Sequence, residues 1–209
     1  MIRKNLNTLI ITSLIILLPI AAGLILWDSL PEQIATHWNA QGVADGYSSK
    51  AGAVFTLPSV ILGVHWLSIF VTAADPKKAS GKALLMVFWI CPVLSLLIGS
   101  IIYATALGAQ LPVERIVPLI LGALFLALGN YLPKCKQNYT IGIKLPWALN
   151  DAENWNKTHR FAGFVWVIGG LLIIATSFLG SFPLLFGILL VMTLAPILYS
   201  YRYYRKHQN

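Results

Sequence analysis

Long apolar windows alternate with short polar stretches along this chain. Six such windows stand out, at about residues 6–27, 53–72, 83–107, 116–132, 161–179 and 182–201. Each is close to the length of about 20 residues that an α-helix needs to cross a hydrocarbon core about 30 Å thick. The pattern predicts an all-α polytopic membrane protein with six transmembrane helices. Two connections exceed simple turns, so the chain divides at about residue 82. Residues 1–82 carry two helices around a long loop at 28–52, then a short basic loop. Residues 83–209 carry four helices and a long loop at 133–160. Arg3 and Lys4 ahead of the first window also suit a signal peptide, with Ala21-Ala22-Gly23 as a cleavage site. The apolar run continues through Leu26, beyond an ordinary signal core, and predicts a retained helix.

Composition agrees with this picture. Hydrophobic residues make up 57% of the 209 positions and charged residues 11%, against about 25% charged in a soluble domain. This excludes a soluble enzyme, a disordered regulator and a secreted disulfide scaffold. The net charge of +8 takes its meaning from placement. With the N-terminus inside, the inner segments hold Arg3, Lys4, Lys77, Lys78, Lys82, Lys134, Lys136, Lys144, Lys157, Arg160, Arg202, Arg205 and Lys206. Only Lys50 and Arg115 remain outside. Such a bias predicts that both termini of this multi-pass membrane protein are cytoplasmic. The basic excess then serves topology and contact with anionic lipid, and direct nucleic acid binding is not needed to explain it. Cys91 and Cys135 form no disulfide framework and no metal-ligand spacing, which leaves them as packing residues. No metal or other cofactor is expected.

Within the windows, His65 is the only titratable group well inside the membrane. No apolar run offers it a carboxylate partner, so the expectation is a neutral imidazole bonded to a neighbouring helix. Pro58, Pro92, Pro118 and Pro196 can kink their helices. Gly163, Gly169 and Gly170 are suited to close helix packing. No inverted repeat supports a transporter, although a small-molecule or ion transporter or channel is the alternative function. No Gly-x-Ser-x-Gly, His-Glu-x-x-His or P-loop pattern occurs, so the protein is not expected to be an enzyme.

Chemistry is therefore sought in the two long loops. In the outer one, Ile34, Thr36 and Trp38 alternate with Ala35, His37 and Asn39, predicting a short strand, and Asp45-Gly46 predicts a tight turn. His37, Trp38, Asn39, Gly42, Asp45, Gly46 and Tyr47 are the candidate extracytoplasmic ligand-binding residues. The same residues also suit a compact cap whose polar groups satisfy one another. His37 and Asp45 alone supply too few ligands for a metal signature. In the inner loop, Asn150 and Glu153 have capping-box spacing and predict a helix start. Trp155 and His159 then share a face, and Pro146-Trp147 predicts an extended elbow. Lys136, Lys144, Lys157 and Arg160 suit lipid phosphates or the acidic surface of a partner.

The two loops, flanking six spans, resemble the SdpI family of bacterial membrane proteins. Leu30-Pro31, Thr36-His37-Trp38-Asn39, Gly42, Asp45-Gly46-Tyr47, Ser49-Lys50 and Phe55-Thr56-Leu57-Pro58 are similar to the small N-terminal domain of unknown function found in that family. Gly129-Asn130, Asn138-Tyr139, Ile141-Gly142-Ile143-Lys144, Pro146-Trp147, Leu149, Trp155 and Thr158-His159-Arg160 resemble its second motif block. The resemblance implies a six-helix immunity and signalling protein. Such a protein resists a secreted, membrane-active toxin peptide and draws a cytoplasmic transcriptional repressor to the membrane. It also implies that Asn138, Gly142, Lys144, Pro146, Trp147, Trp155, His159 and Arg160 serve cytoplasmic partner or lipid binding. Lys144-Leu145 departs from the arginine and small polar residue expected before Pro-Trp, and lysine does not reproduce a bidentate arginine contact.

Overall fold

The computed structural model describes residues 1–77, 82–179 and 182–207; Lys78 of the short basic loop lies outside them. In chain order the elements are α1 (Leu6–Ile25), β1 (Gln33–Trp38), β2 (Ala44–Ser49), α2 (Leu57–Ala74), α3 (Lys82–Ala106), α4 (Val113–Tyr131), α5 (Pro146–Leu149), α6 (Ala152–Leu179) and α7 (Phe182–Lys206). Every apolar window is a helix, and among the described residues six helices are long and apolar enough to cross a membrane. Their outward faces carry large side chains such as Leu14, Leu67 and Phe178. Hydrocarbon is the medium in which such faces are stable, because each helix satisfies its backbone internally.

The chain forms two compact units, one comprising Met1–Ala73 with Leu84–Glu114 and the other Ala74–Ala83 with Arg115–Asn209. In the first, Leu9, Ile69 and Phe88 join α1, α2 and α3. Further along, the Ser95 hydroxyl donates to the Ile16 carbonyl at 2.8 Å, and the Tyr103 hydroxyl donates to the Pro19 carbonyl at 2.8 Å. Glycine permits this approach: a Cβ on Gly99 would lie 2.9 Å from Pro19, and one on Gly23 would lie 2.6 Å from the Tyr103 hydroxyl.

Beyond Tyr103 the core continues into a β-hairpin that adds a small sheet to the all-α membrane part. Ile34 is buried with Leu30, Ala53, Val54 and Ile102, and Trp27 and Trp38 pack on the same cluster. The strands are antiparallel, from Gln33↔Ser49 to Trp38↔Ala44, with irregular register near His37. The predicted strand is present, but the turn is not at Asp45-Gly46, which lie in β2. It is made by Asn39, whose Oδ1 accepts the Gln41 and Val43 N–H groups at 3.0 Å, and by Gly42 at φ +74°. An Asx-type bond and a left-handed glycine are sufficient to reverse the chain there. A π-helical turn at Gly52–Thr56 leads from the hairpin into α2.

In the second unit, α4 and α6 meet backbone to backbone. A Cβ on Gly122 would lie 2.6 Å from the Gly170 carbonyl, and one on Gly163 would lie 2.7 Å from that of Gly129. Gly169 is pressed against Met192 of α7. The Trp166 indole donates to the Met192 carbonyl at 3.0 Å. Ile173, Leu185 and Met192 form the core between these two helices.

Two local expectations are corrected in this unit. Pro146-Trp147 is not an extended elbow. Only Leu145 is extended, and Pro146 opens the short α5, where its missing N–H has no helical partner to lose. The cap of α6 is Asp151, not Asn150: its Oδ1 accepts the Glu153 and Asn154 N–H groups at 2.9 and 3.0 Å. Asn150 is already used at the end of α5, where its side chain donates to the Pro146 carbonyl.

Candidate functional site

The hairpin assembles one candidate site. His37 Nδ1 is hydrogen-bonded to Asp45 Oδ1 across the strands, and both side chains are exposed. Gly46 faces His37 closely, since a Cβ there would lie 2.8 Å from His37 Cβ. Asn39 and Gly42 build the turn, with the Glu114 carboxyl directly against Gly42. Trp38 and Tyr47 line a groove of about 360 Å³ that Gln33, Ala35, Thr105 and Gln110 also border. The base is held by an ion pair of 2.9 Å between Lys50 and Glu32, with the Lys50 ammonium 5.5 Å from the Trp27 ring centre. The candidates therefore divide. Asn39, Gly42 and Gly46 shape the hairpin, whereas His37, Trp38, Asp45 and Tyr47 present groups to its surroundings. Among the described residues no group of three His, Cys, Asp or Glu side chains is placed to hold a metal ion.

The long basic loop is the second site, and most of its candidates face inward. Asn138 is buried; its Oδ1 accepts the Thr140 N–H, the Ile141 N–H and the Thr140 hydroxyl, while its amide donates to the Lys136 and Ile141 carbonyls. Trp155 and His159 share a face as expected and stack with ring centres 4.0 Å apart, but both are buried. The Trp155 indole donates to the Cys135 carbonyl at 2.9 Å. His159 Nε2 accepts the Ile143 N–H at 3.0 Å, which assigns the proton to Nδ1 for donation to the Trp155 carbonyl at 2.8 Å. Gly142, at φ +118°, passes directly over His159. Trp147 donates to the Ser200 hydroxyl at 3.0 Å, and that hydroxyl donates to Asn154. Lys144, Pro146 and Arg160 remain exposed. These inward-facing residues build the loop, and the exposed basic ones form its surface.

Asp75 and Lys77 belong to the same network; the sequence marks Lys77 only as an inner-loop charge and does not mark Asp75. The buried Asp75 accepts the Lys77 N–H through Oδ1, and the Tyr139 N–H and Thr140 hydroxyl through Oδ2, at 2.8–2.9 Å. Burial opposes ionisation, but these hydrogen bonds outweigh it and hold the carboxyl below its ordinary range. The Lys77 ammonium donates to Gln137 and to the Leu149 carbonyl and lies 4.8 Å from the Tyr139 ring centre. The only local cue is an acid just after an apolar window, next to Pro76-Lys77. In the first unit, His65 Nε2 is 3.0 Å from the Thr12 hydroxyl, the neighbouring-helix bond expected of it.

Six apolar spans, one hairpin and one inward-folded basic loop define a multi-pass membrane protein. Residues 134–200, covering the basic loop, all of α6 and most of α7, match the SdpI/YfhL protein family. Residues 14–62, covering most of α1, the hairpin and the start of α2, match a domain of unknown function (DUF1648). Over 98% of its length the chain is 30% identical to the protein called Immunity protein SdpI of Bacillus subtilis (strain 168), 97% of which is covered. The chain belongs to the SdpI family. No solved structure matches it.

Proposed function

We propose that this is a non-enzymatic immunity protein of a bacterial cytoplasmic membrane, giving resistance to a secreted, membrane-active toxin peptide. The observation that carries this is the full-length similarity to a protein named for immunity. The basic residues orient the chain with the hairpin outside. There the exposed His37–Asp45 pair and the groove beside Trp38 and Tyr47 form the recognition surface. Inside, Lys144 and Arg160 present positive charge to lipid phosphates or to a recruited repressor, while Asn138, Gly142, Trp155 and His159 hold the loop in shape. The buried histidines have structural partners: His65 bonds to the Thr12 hydroxyl, and His159 to main-chain groups of Ile143 and Trp155. A transporter or channel has one observation in its favour, the buried His65 Nδ1, which has no hydrogen-bond partner among the described residues.

Photo-crosslinking tests the recognition surface. A benzophenone amino acid at Tyr47, in cells exposed to peptides secreted by the same strain, is expected to capture a peptide. The same probe at Leu67, on an outward face of α2, is expected to capture none. Equal capture at both positions, or none at Tyr47, contradicts hairpin recognition.

A further inference from the structure

The end of α7 and the short α5 enclose a cleft of about 460 Å³, lined by Pro146, Trp147, Asn150, Asp151, Tyr204 and His207. One wall is rigid. The Trp147 ring is stacked on Tyr204, with centres 5.8 Å apart and planes at 26°, and packs against the Tyr201 ring at 5.5 Å. The Trp147 indole N–H is fixed on Ser200. Trp and Tyr gather where a membrane helix passes the headgroups, and Tyr203-Tyr204-Arg205-Lys206 closes α7 after its apolar run, with His207 next to it.

The charges are of both signs. Asp151 brings a carboxylate to the lining, with Oδ1 already capping α6. His207 is the basic group of the lining; its Nδ1 bonds to the Tyr203 carbonyl at 2.9 Å, so Nε2 is its remaining ring nitrogen. Arg205 and Lys206 occupy the same last turn of α7. A purely anionic headgroup would be opposed by Asp151. A quaternary ammonium would find aromatic faces but has no N–H to give the carboxylate. A primary ammonium can donate to Asp151 and the Asn150 side-chain oxygen and lie against Trp147 or Tyr204, while its phosphate turns toward the basic end of α7.

We propose that this cleft binds the headgroup of a membrane phospholipid bearing a primary amine, of the phosphatidylethanolamine class. This rests on the placement of the α7 end at headgroup level, and not on peptide recognition by the hairpin. The test is native mass spectrometry of the full-length protein released from micelles containing equal amounts of phosphatidylethanolamine and phosphatidylcholine with matched chains. The wild type is expected to retain the ethanolamine lipid over choline by about fivefold, the scale of one net hydrogen bond that choline cannot make. Asp151→Asn is expected to abolish the preference while leaving helicity and melting temperature intact, because asparagine caps a helix as well as aspartate. Tyr204→Leu, which does not touch that cap, should also lower it, and Glu153→Gln, outside the lining, should not. Equal retention of the two lipids by the wild type overturns the proposal. So does a preference that survives both Asp151→Asn and Tyr204→Leu, or selective capture of a lysine-rich peptide without lipid discrimination.

Discussion

Asn138 accepts three hydrogen bonds on one side-chain oxygen in a buried loop. Asn138→Ala strands two main-chain N–H groups, while the Thr140 hydroxyl keeps its shorter bond to Asp75; it is expected to destabilise the second unit by roughly 2–4 kcal/mol, read as a lowered melting temperature in detergent. Asp75 provides a pH test of the same loop. Its carboxyl is held below the ordinary range. The stability that it contributes is therefore fully present above the unfolded-state value, and is lost as pH falls through the lower folded-state value. Asp75→Asn should melt earlier than wild type at pH 7, and the gap should close in acid. A gap that persists or widens in acid would mean that ionised Asp75 is not what holds Tyr139 and Thr140. Little of this was legible in the sequence. Asp75 bonds across more than 60 residues to Thr140, a distance that no local motif spans. Trp155 and His159 were legible as a shared face, but not that the face is buried under Gly142.

Helices and their contacts were more legible, because six windows of about 20 apolar residues admit few other structures. The four-residue α5 has no periodicity to detect, so Pro146-Trp147 was read from proline's usual effect on the residue before it. Asp45-Gly46 resembled a turn because aspartate and glycine commonly form one, yet the side chain of Asp45 pairs with His37 and the chain reverses one turn earlier. Gly163 and Gly170 were read as packing residues. Their partners Gly129 and Gly122 emerge only when α4 and α6 are placed together. Gly122→Ile is expected to push these helices apart and cost about 1–3 kcal/mol as overpacking. Gly187→Ala, with no atom within 4 Å of the added Cβ, should leave the melting temperature unchanged or slightly raised. Similar effects at the two positions would argue against a backbone-level contact between α4 and α6.

For the whole molecule, the distribution of lysine and arginine makes the strongest claim: the hairpin is outside and the basic loop inside. In a background lacking Cys91 and Cys135, Gln41→Cys should react with a membrane-impermeant maleimide on intact cells. Lys144→Cys should react only after permeabilisation. The reverse pattern would move the recognition surface to the cytoplasm. Function was legible only through resemblance, since neither loop contains residues in the spacing of a known reaction, and what an exposed His–Asp pair binds depends on a ligand outside the chain. The central claim is immunity through the hairpin. Its most direct measurement is survival of the strain that encodes this protein, with the gene deleted, when exposed to peptides secreted by its own species. The account predicts that the deletion strain is killed, that wild type restores survival, and that a stably expressed His37→Ala, Asp45→Ala double variant does not. Equal survival of deletion and wild-type strains, or full rescue by the double variant, would contradict it.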